Sequence, residues 1–123
     1  MSYLLVFLGG GIGSLLRHIV NQTSVAHLGL TFPWGTLFVN VVGSLAMGLL
    51  TGWFTSRGAT GQPLYLFLAT GILGGFTTFS AFSLDILLLW ERGQTTIAAL
   101  YVLGTLTTAI IAVLAGMSLM RAG

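Results

Sequence analysis

The chain has 123 residues, of which 55% are hydrophobic and only 5% are charged. A water-soluble domain normally carries about 25% charged residues, so this composition excludes a soluble globular domain and a disordered segment. The net charge of +2 is too small for a nucleic-acid-binding surface, and the lack of cysteine excludes disulfides, thiolate metal sites and a cysteine nucleophile.

Four apolar segments follow one another along the chain, and each is long enough to cross a bilayer, which takes about 20 apolar residues. We predict helices at residues 3–25, 34–56, 64–90 and 95–120. Glycine, proline and charged residues typical of turns separate these segments. The sequence therefore predicts an all-α membrane protein, with a single four-helix transmembrane domain over residues 1–123.

The first predicted helix contains a glycine-rich segment, 9–13, followed by Arg17. No strand pattern precedes the glycines, so the segment is not a dinucleotide-binding fingerprint. We place Arg17 near the end of the helix, where a long basic side chain reaches the membrane surface. There it is also a candidate for attracting anions to a vestibule.

Asn40 lies inside the second predicted helix, within an otherwise apolar stretch. A polar group in hydrocarbon is costly unless it has a partner, so an intramembrane amide is a functional candidate. It offers two N–H donors and one acceptor. A hydrogen bond between helices is the structural alternative, and both stay open.

The third predicted helix carries a polar segment in mid-span, and its members have poor helix propensity: Gly74, Gly75, Thr77, Thr78 and Ser80. A helix break is one interpretation, because broken membrane helices expose backbone groups where these line a cavity or bind an ion. A continuous helix with glycines at a crossing point is the other. Phe79 and Phe82 share one face, where they either pack or turn their positive ring edges towards an anion.

The fourth predicted helix carries Tyr101, Thr105 and Thr108 on one face. These side chains form a hydroxyl track, unless the threonines bond only to carbonyls of their own helix. Small residues at i,i+4 spacing recur in all four helices, and such stripes allow close approach in lipid. We interpret their number as favouring an oligomer, although packing within one bundle also uses them.

The arginines are balanced across the membrane: Arg57 and Arg121 fall on one side, and Arg92 with Arg17 on the other. Since the Lys/Arg bias sets orientation, this balance allows insertion both ways and an antiparallel pair. A single fixed orientation is the alternative.

Three segments, 9–17, 35–44 and 74–83, together resemble the Fluc/CrcB family of microbial fluoride channels. Their order and spacing, the chain length and the four-span layout match over the whole chain. The third segment is the most specific. The resemblance implies a fluoride-specific channel in a bacterial inner membrane, assembled as an antiparallel, dual-topology homodimer with two pores.

The resemblance also implies roles for individual residues. Asn40, Phe79 and Phe82 would contact fluoride in the pore, and Tyr101, Thr105 and Thr108 would form its polar track. The backbone carbonyls of Gly74 and Thr77 would hold a central structural sodium ion. Ala81 replaces the threonine that is usual in the family, which gives Ser80 or the fourth helix more of the polar contacts.

Two other functions compete with a fluoride channel. A small four-span multidrug or cation transporter needs a membrane-embedded glutamate, whereas Glu91 is the only glutamate and lies in a predicted turn. A membrane subunit without transport would not need Asn40 or the polar third helix. No Ser/His/Asp arrangement is within reach, so we predict that the chain is not an enzyme.

Overall fold

The computed structural model describes residues 1–122, which form four helical spans. The elements are α1 (Ser2–Leu28), α2 (Trp34–Ser56), α3 (residues 63–76), α4 (Phe79–Glu91) and α5 (Thr95–Ala122). The prediction of four helices long and apolar enough to cross a membrane is confirmed, with α3 and α4 together forming the third span. α1 continues beyond residue 25 and ends at Leu28, and it is followed by Gly29, whose φ of 81° suits glycine.

The spans form two side-by-side pairs in which the helices run in the same direction. In the first pair, a Cβ added at Gly9 of α1 would lie 2.9 Å from Gly71 Cα of α3. In the second pair, a Cβ added at Gly52 of α2 would lie 3.0 Å from the carbonyl oxygen of Met117 in α5. Only glycine permits such backbone contacts, so these small residues set the distance between paired helices.

The small-residue stripes therefore have an explanation within one chain. Gly13 faces Ile72, Gly48 faces Val113, and Gly116 faces the backbone of α2. Gly104 differs, because nothing lies within 4 Å of its added Cβ. Most of the stripes pack inside the bundle, so the oligomer that we inferred from their number stays a prediction.

The third span is bent at Thr77 and Thr78, so the alternative of a continuous helix was wrong. Both residues are extended, with φ/ψ of −85°/155° and −149°/123°. α3 includes a π-helix at Leu66–Leu73 between short α-helical turns and ends at Phe76. α4 begins at Phe79, where the Thr78 hydroxyl caps it by accepting a hydrogen bond from the Ala81 N–H at 3.2 Å.

The buried core lies between α4 and α5. It consists of Phe82, Leu89, Ala98 and Tyr101, with Phe32 from the α1–α2 connection packed against it. Large apolar side chains cover much of the outer surface of all four spans, as expected where helices face lipid.

Candidate functional site

The bend places two polar side chains from neighbouring helices against the backbone of the third span. Arg17 of α1 donates from Nε to the Gly75 carbonyl at 3.0 Å. Asn40 of α2 donates from Nδ2 to the Thr78 carbonyl at 3.0 Å and accepts from the Thr78 N–H at 2.8 Å. These two side chains thus provide hydrogen-bond partners for backbone groups of Gly75 and Thr78 that lose their helical hydrogen bonds at the bend.

Other backbone groups at the bend change their hydrogen bonds. The Leu73 carbonyl accepts from the N–H of Thr77 at 3.1 Å and from its hydroxyl at 3.0 Å. The Thr78 N–H, which would be the regular helical donor to the Gly74 carbonyl, bonds to Asn40 instead. The end of α3 therefore presents carbonyl oxygens, whereas the start of α4 presents the N–H groups of its first turn.

A groove of about 290 Å³ opens beside the bend. Polar groups from the second, third and fourth spans line it: Asn40, Ser44, Thr77, Thr78 and Thr105. The Thr105 side chain is only 4% exposed, and its hydroxyl has no hydrogen-bond partner within the described chain. A buried hydroxyl without a partner is unfavourable, so it is a candidate contact for a ligand in the groove.

Two phenylalanines complete the groove, with different exposure. Phe82 is 5% exposed and packs on Tyr101, with ring centroids 5.1 Å apart. Phe79 is 77% exposed, although its ring centroid lies only 6.1 Å from that of Phe82. The Phe82 ring is therefore buried within this chain, whereas the Phe79 ring projects away from it.

The chain resembles a known family along almost its full length. The family model for "CrcB-like protein, Camphor Resistance (CrcB)" matches residues 4–117. The chain belongs to the CrcB family.

Relatives in the CrcB family carry a functional name. A protein named "Fluoride-specific ion channel FluC" from Rhodopseudomonas palustris (strain BisB5) is 57% identical over 99% of this chain and 98% of its own length. One of the same name from Methylobacterium nodulans is 55% identical over 98% of this chain and 97% of its own length. "Fluoride-specific ion channel FluC 2" from Nitrobacter hamburgensis is 51% identical, covering 98% of both chains.

Not all the residues that the CrcB resemblance suggested come together at the groove. Asn40, Phe79, Phe82, Thr77 and Thr105 line it. Tyr101 touches it only through the Phe82 ring. Ser80 is exposed and is not part of its lining. Thr108 is exposed, and its hydroxyl donates to the Gly104 carbonyl. It lines a second, apolar groove, which Tyr101 and Thr105 also line.

The placement of Arg17 near the end of the first helix was wrong. Arg17 lies near the middle of α1, half-buried beside the bend. Near the helix ends, this leaves Arg57 and Arg121 on one side of the membrane and Arg92 on the other. The role of Arg17 in attracting anions to a vestibule stays a prediction.

Sequence reasoning missed one polar contact of the core. Asp85 is half-buried, and its carboxylate accepts a hydrogen bond from the Tyr101 hydroxyl at 3.1 Å. The signal was available, since Asp85 lies three residues after Phe82 on the same helical face, and both side chains contact Tyr101.

Proposed function

We propose that this CrcB-family chain is a fluoride-specific ion channel whose pore runs along the groove beside the bend. The single observation that carries the pore assignment is Thr105, a residue that borders the charge-free groove and whose buried hydroxyl has no partner within the described chain. The names of its relatives, at 51–57% identity over nearly the full chain, support fluoride as the ion.

The groove suits a small, strongly hydrated anion. Such an ion enters a membrane only if protein donors replace its water, and it leaves only if no full charge traps it. Thr105 offers an O–H, and Asn40 retains one N–H beyond the one bound to Thr78. Phe82 and Phe79 contribute positive ring edges, and the N-terminal end of α4 contributes a positive helix dipole.

The opposite end of the bend suits a cation. The carbonyl oxygens at the end of α3 include that of Gly74, whose regular helical donor bonds to Asn40 instead, and the carbonyl of Thr77 follows in the extended segment. Hard oxygen ligands and the negative end of a helix favour a small hard cation. We propose that these two carbonyl oxygens coordinate a structural sodium ion at the bend.

The proposed channel is an antiparallel homodimer with two pores. Phe79 supports this assembly, because a ring that projects from one chain is placed to line a pore formed with a second copy. The arginines near the helix ends are nearly balanced, which favours insertion in both orientations. Cysteines introduced at Ser56 and Gln94 should therefore both react with an impermeant reagent from each face, and one-sided labelling would contradict dual topology.

The proposed flow is passive. The groove lining contains no carboxylate that could couple protons, and Glu91 is exposed at the end of α4. The same placement argues against a four-span multidrug transporter. An inside-negative potential drives anions outward by about 2.3 kcal/mol per 100 mV, roughly a fifty-fold concentration gradient.

Efflux from liposomes tests the function. Vesicles loaded with potassium fluoride and containing valinomycin should release fluoride rapidly when the purified protein is present, whereas chloride-loaded vesicles should not empty. Equal efflux of chloride, or none of fluoride, would contradict the proposal. Matched vesicles without protein give the leak, and Thr105→Val, which removes only the unpartnered hydroxyl, tests the pore assignment.

A further inference from the structure

Arg17 is a charged side chain at the depth of the bend in the third span. It lies near the middle of α1, and its one hydrogen bond within the described chain joins Nε to the Gly75 carbonyl at 3.0 Å. A charge at this depth is unfavourable in lipid and is typical of a functional position. Attraction of anions is one role for it, but the bond to Gly75 indicates another.

The Gly75 carbonyl loses its helical donor because the chain is extended at Thr77 and Thr78. Gly75 also lies directly against α1, where an added Cβ would be 2.5 Å from the Gly10 carbonyl oxygen. Gly10 and Arg17 are seven residues apart on one face of α1. The glycine contact therefore brings the last turn of α3 within reach of the guanidinium.

The neighbours of Gly75 are the carbonyls that we assign to the cation. If Gly75 had no donor, its oxygen would compete with that of Gly74 for the same ion. A hydrogen bond to one carbonyl fixes the plane of that peptide group, and it thereby restricts the φ and ψ rotations that orient the neighbouring carbonyls. Metal sites commonly depend on such indirect contacts.

We propose that Arg17 is a positioning residue for the cation site: by holding the Gly75 carbonyl, it orients the end of α3 so that Gly74 and Thr77 coordinate the ion. This inference rests on the proposed sodium site. Arg17 does not touch the ion. What it contributes is the N–H at the ε position, and its positive charge is not required for this role.

Two uncharged substitutions separate the donor from the charge. Arg17→Gln places an N–H donor the same number of bonds from Cα as the arginine Nε, and it removes the charge. Arg17→Met introduces a side chain similar in size to that of glutamine and removes both the charge and the donor. Arg57→Met is the matched control, because Arg57 also donates to a backbone carbonyl, that of Trp53, but at an exposed helix end, and its removal leaves one arginine near the helix ends on each side.

The readout is the thermal stability of the purified protein in detergent, titrated with sodium chloride against N-methyl-D-glucamine chloride. The native protein and Arg57→Met should be stabilised by sodium at the same half-maximal concentration. Arg17→Met should require ~10-fold or more sodium, the usual loss when an indirect partner of a metal site is removed. Arg17→Gln should stay within about threefold of the native value, because its donor is kept.

The outcomes distinguish this inference from the function on which it rests. If the native protein shows no response to sodium, the proposed cation site fails, and this inference fails with it. If the native response is present and Arg17→Met retains it, only the role of Arg17 is overturned. If Arg17→Met does not assemble, Arg17→Gln decides: a native response supports the proposal, and a weakened response or failure to assemble overturns it, since the charge would then be the requirement.

Discussion

The two halves of the third span are held by different kinds of contact. α3 packs backbone to backbone on α1, where Gly71 and Gly75 leave no room for a Cβ. α4 packs on α5 through large side chains, chiefly Phe82 on Tyr101. One half therefore ends in carbonyl oxygens fixed by main-chain contacts, and the other begins with N–H groups and rings placed by side chains.

Because of this difference, we expect substitutions on the two sides of the bend to affect different properties, stability on one side and fluoride flux on the other. A backbone contact is sensitive to any added atom, so substitutions on the α3 side should reduce stability. The α4 side carries the groups that meet an anion, so substitutions there should reduce flux. The variants below test that separation, from the largest expected effect to the smallest.

Asn40→Asp should abolish fluoride flux. The carboxylate cannot donate to the Thr78 carbonyl, which leaves a buried acceptor without a partner at a cost of about 1–3 kcal/mol. Its negative charge would also repel the anion. Asn40→Ser keeps one donor and should retain part of the flux in the liposome efflux assay. Native flux through Asn40→Asp would show that the amide is not part of the pathway.

Replacing Phe79 or Phe82 by isoleucine should lower flux by about tenfold or more, since about 1.4 kcal/mol of lost ion stabilisation is tenfold. The two variants should differ in stability. Phe82→Ile loses an aromatic pair with Tyr101, worth about 0.5–1.5 kcal/mol, whereas Phe79 is 77% exposed in the chain. Efflux and thermal melting are measured on the same preparations. Lowered stability with native flux would identify the rings as packing residues only.

Gly13→Ala should destabilise the protein by about 1–3 kcal/mol, because the new methyl group would overlap the Ile72 carbonyl oxygen of α3. Gly11→Ala is the control on the same helix, since nothing lies within 4 Å of its added Cβ. Thermal melting in detergent compares them. Equal melting temperatures would show that α1 and α3 are not in backbone contact.

Thr105→Val should lower flux by about tenfold while leaving stability unchanged, because the substitution removes one donor to the ion and no bond within the chain. Thr108→Val is the control, since the Thr108 hydroxyl bonds only to the Gly104 carbonyl and lies outside the groove. Efflux from liposomes measures both. An equal loss from the two variants would contradict the assignment of the groove.

Local properties of the sequence were enough to predict the four spans. Length and hydropathy determine whether a segment can cross a membrane, and both are properties of consecutive residues. The weak helix propensity of Gly74, Gly75, Thr77 and Thr78 was also visible, and so was the candidacy of Asn40, because a polar group in lipid needs a partner wherever it lies.

Tertiary structure decided between the interpretations that the sequence left open. The bend forms because Arg17 and Asn40, from two other helices, provide partners for the freed backbone groups. Thr105 and Thr108 share a face by spacing, but only the packing of α5 on α2 buries one and exposes the other. Such outcomes depend on which surfaces meet, and residues distant in the sequence determine that through contacts that no local pattern contains.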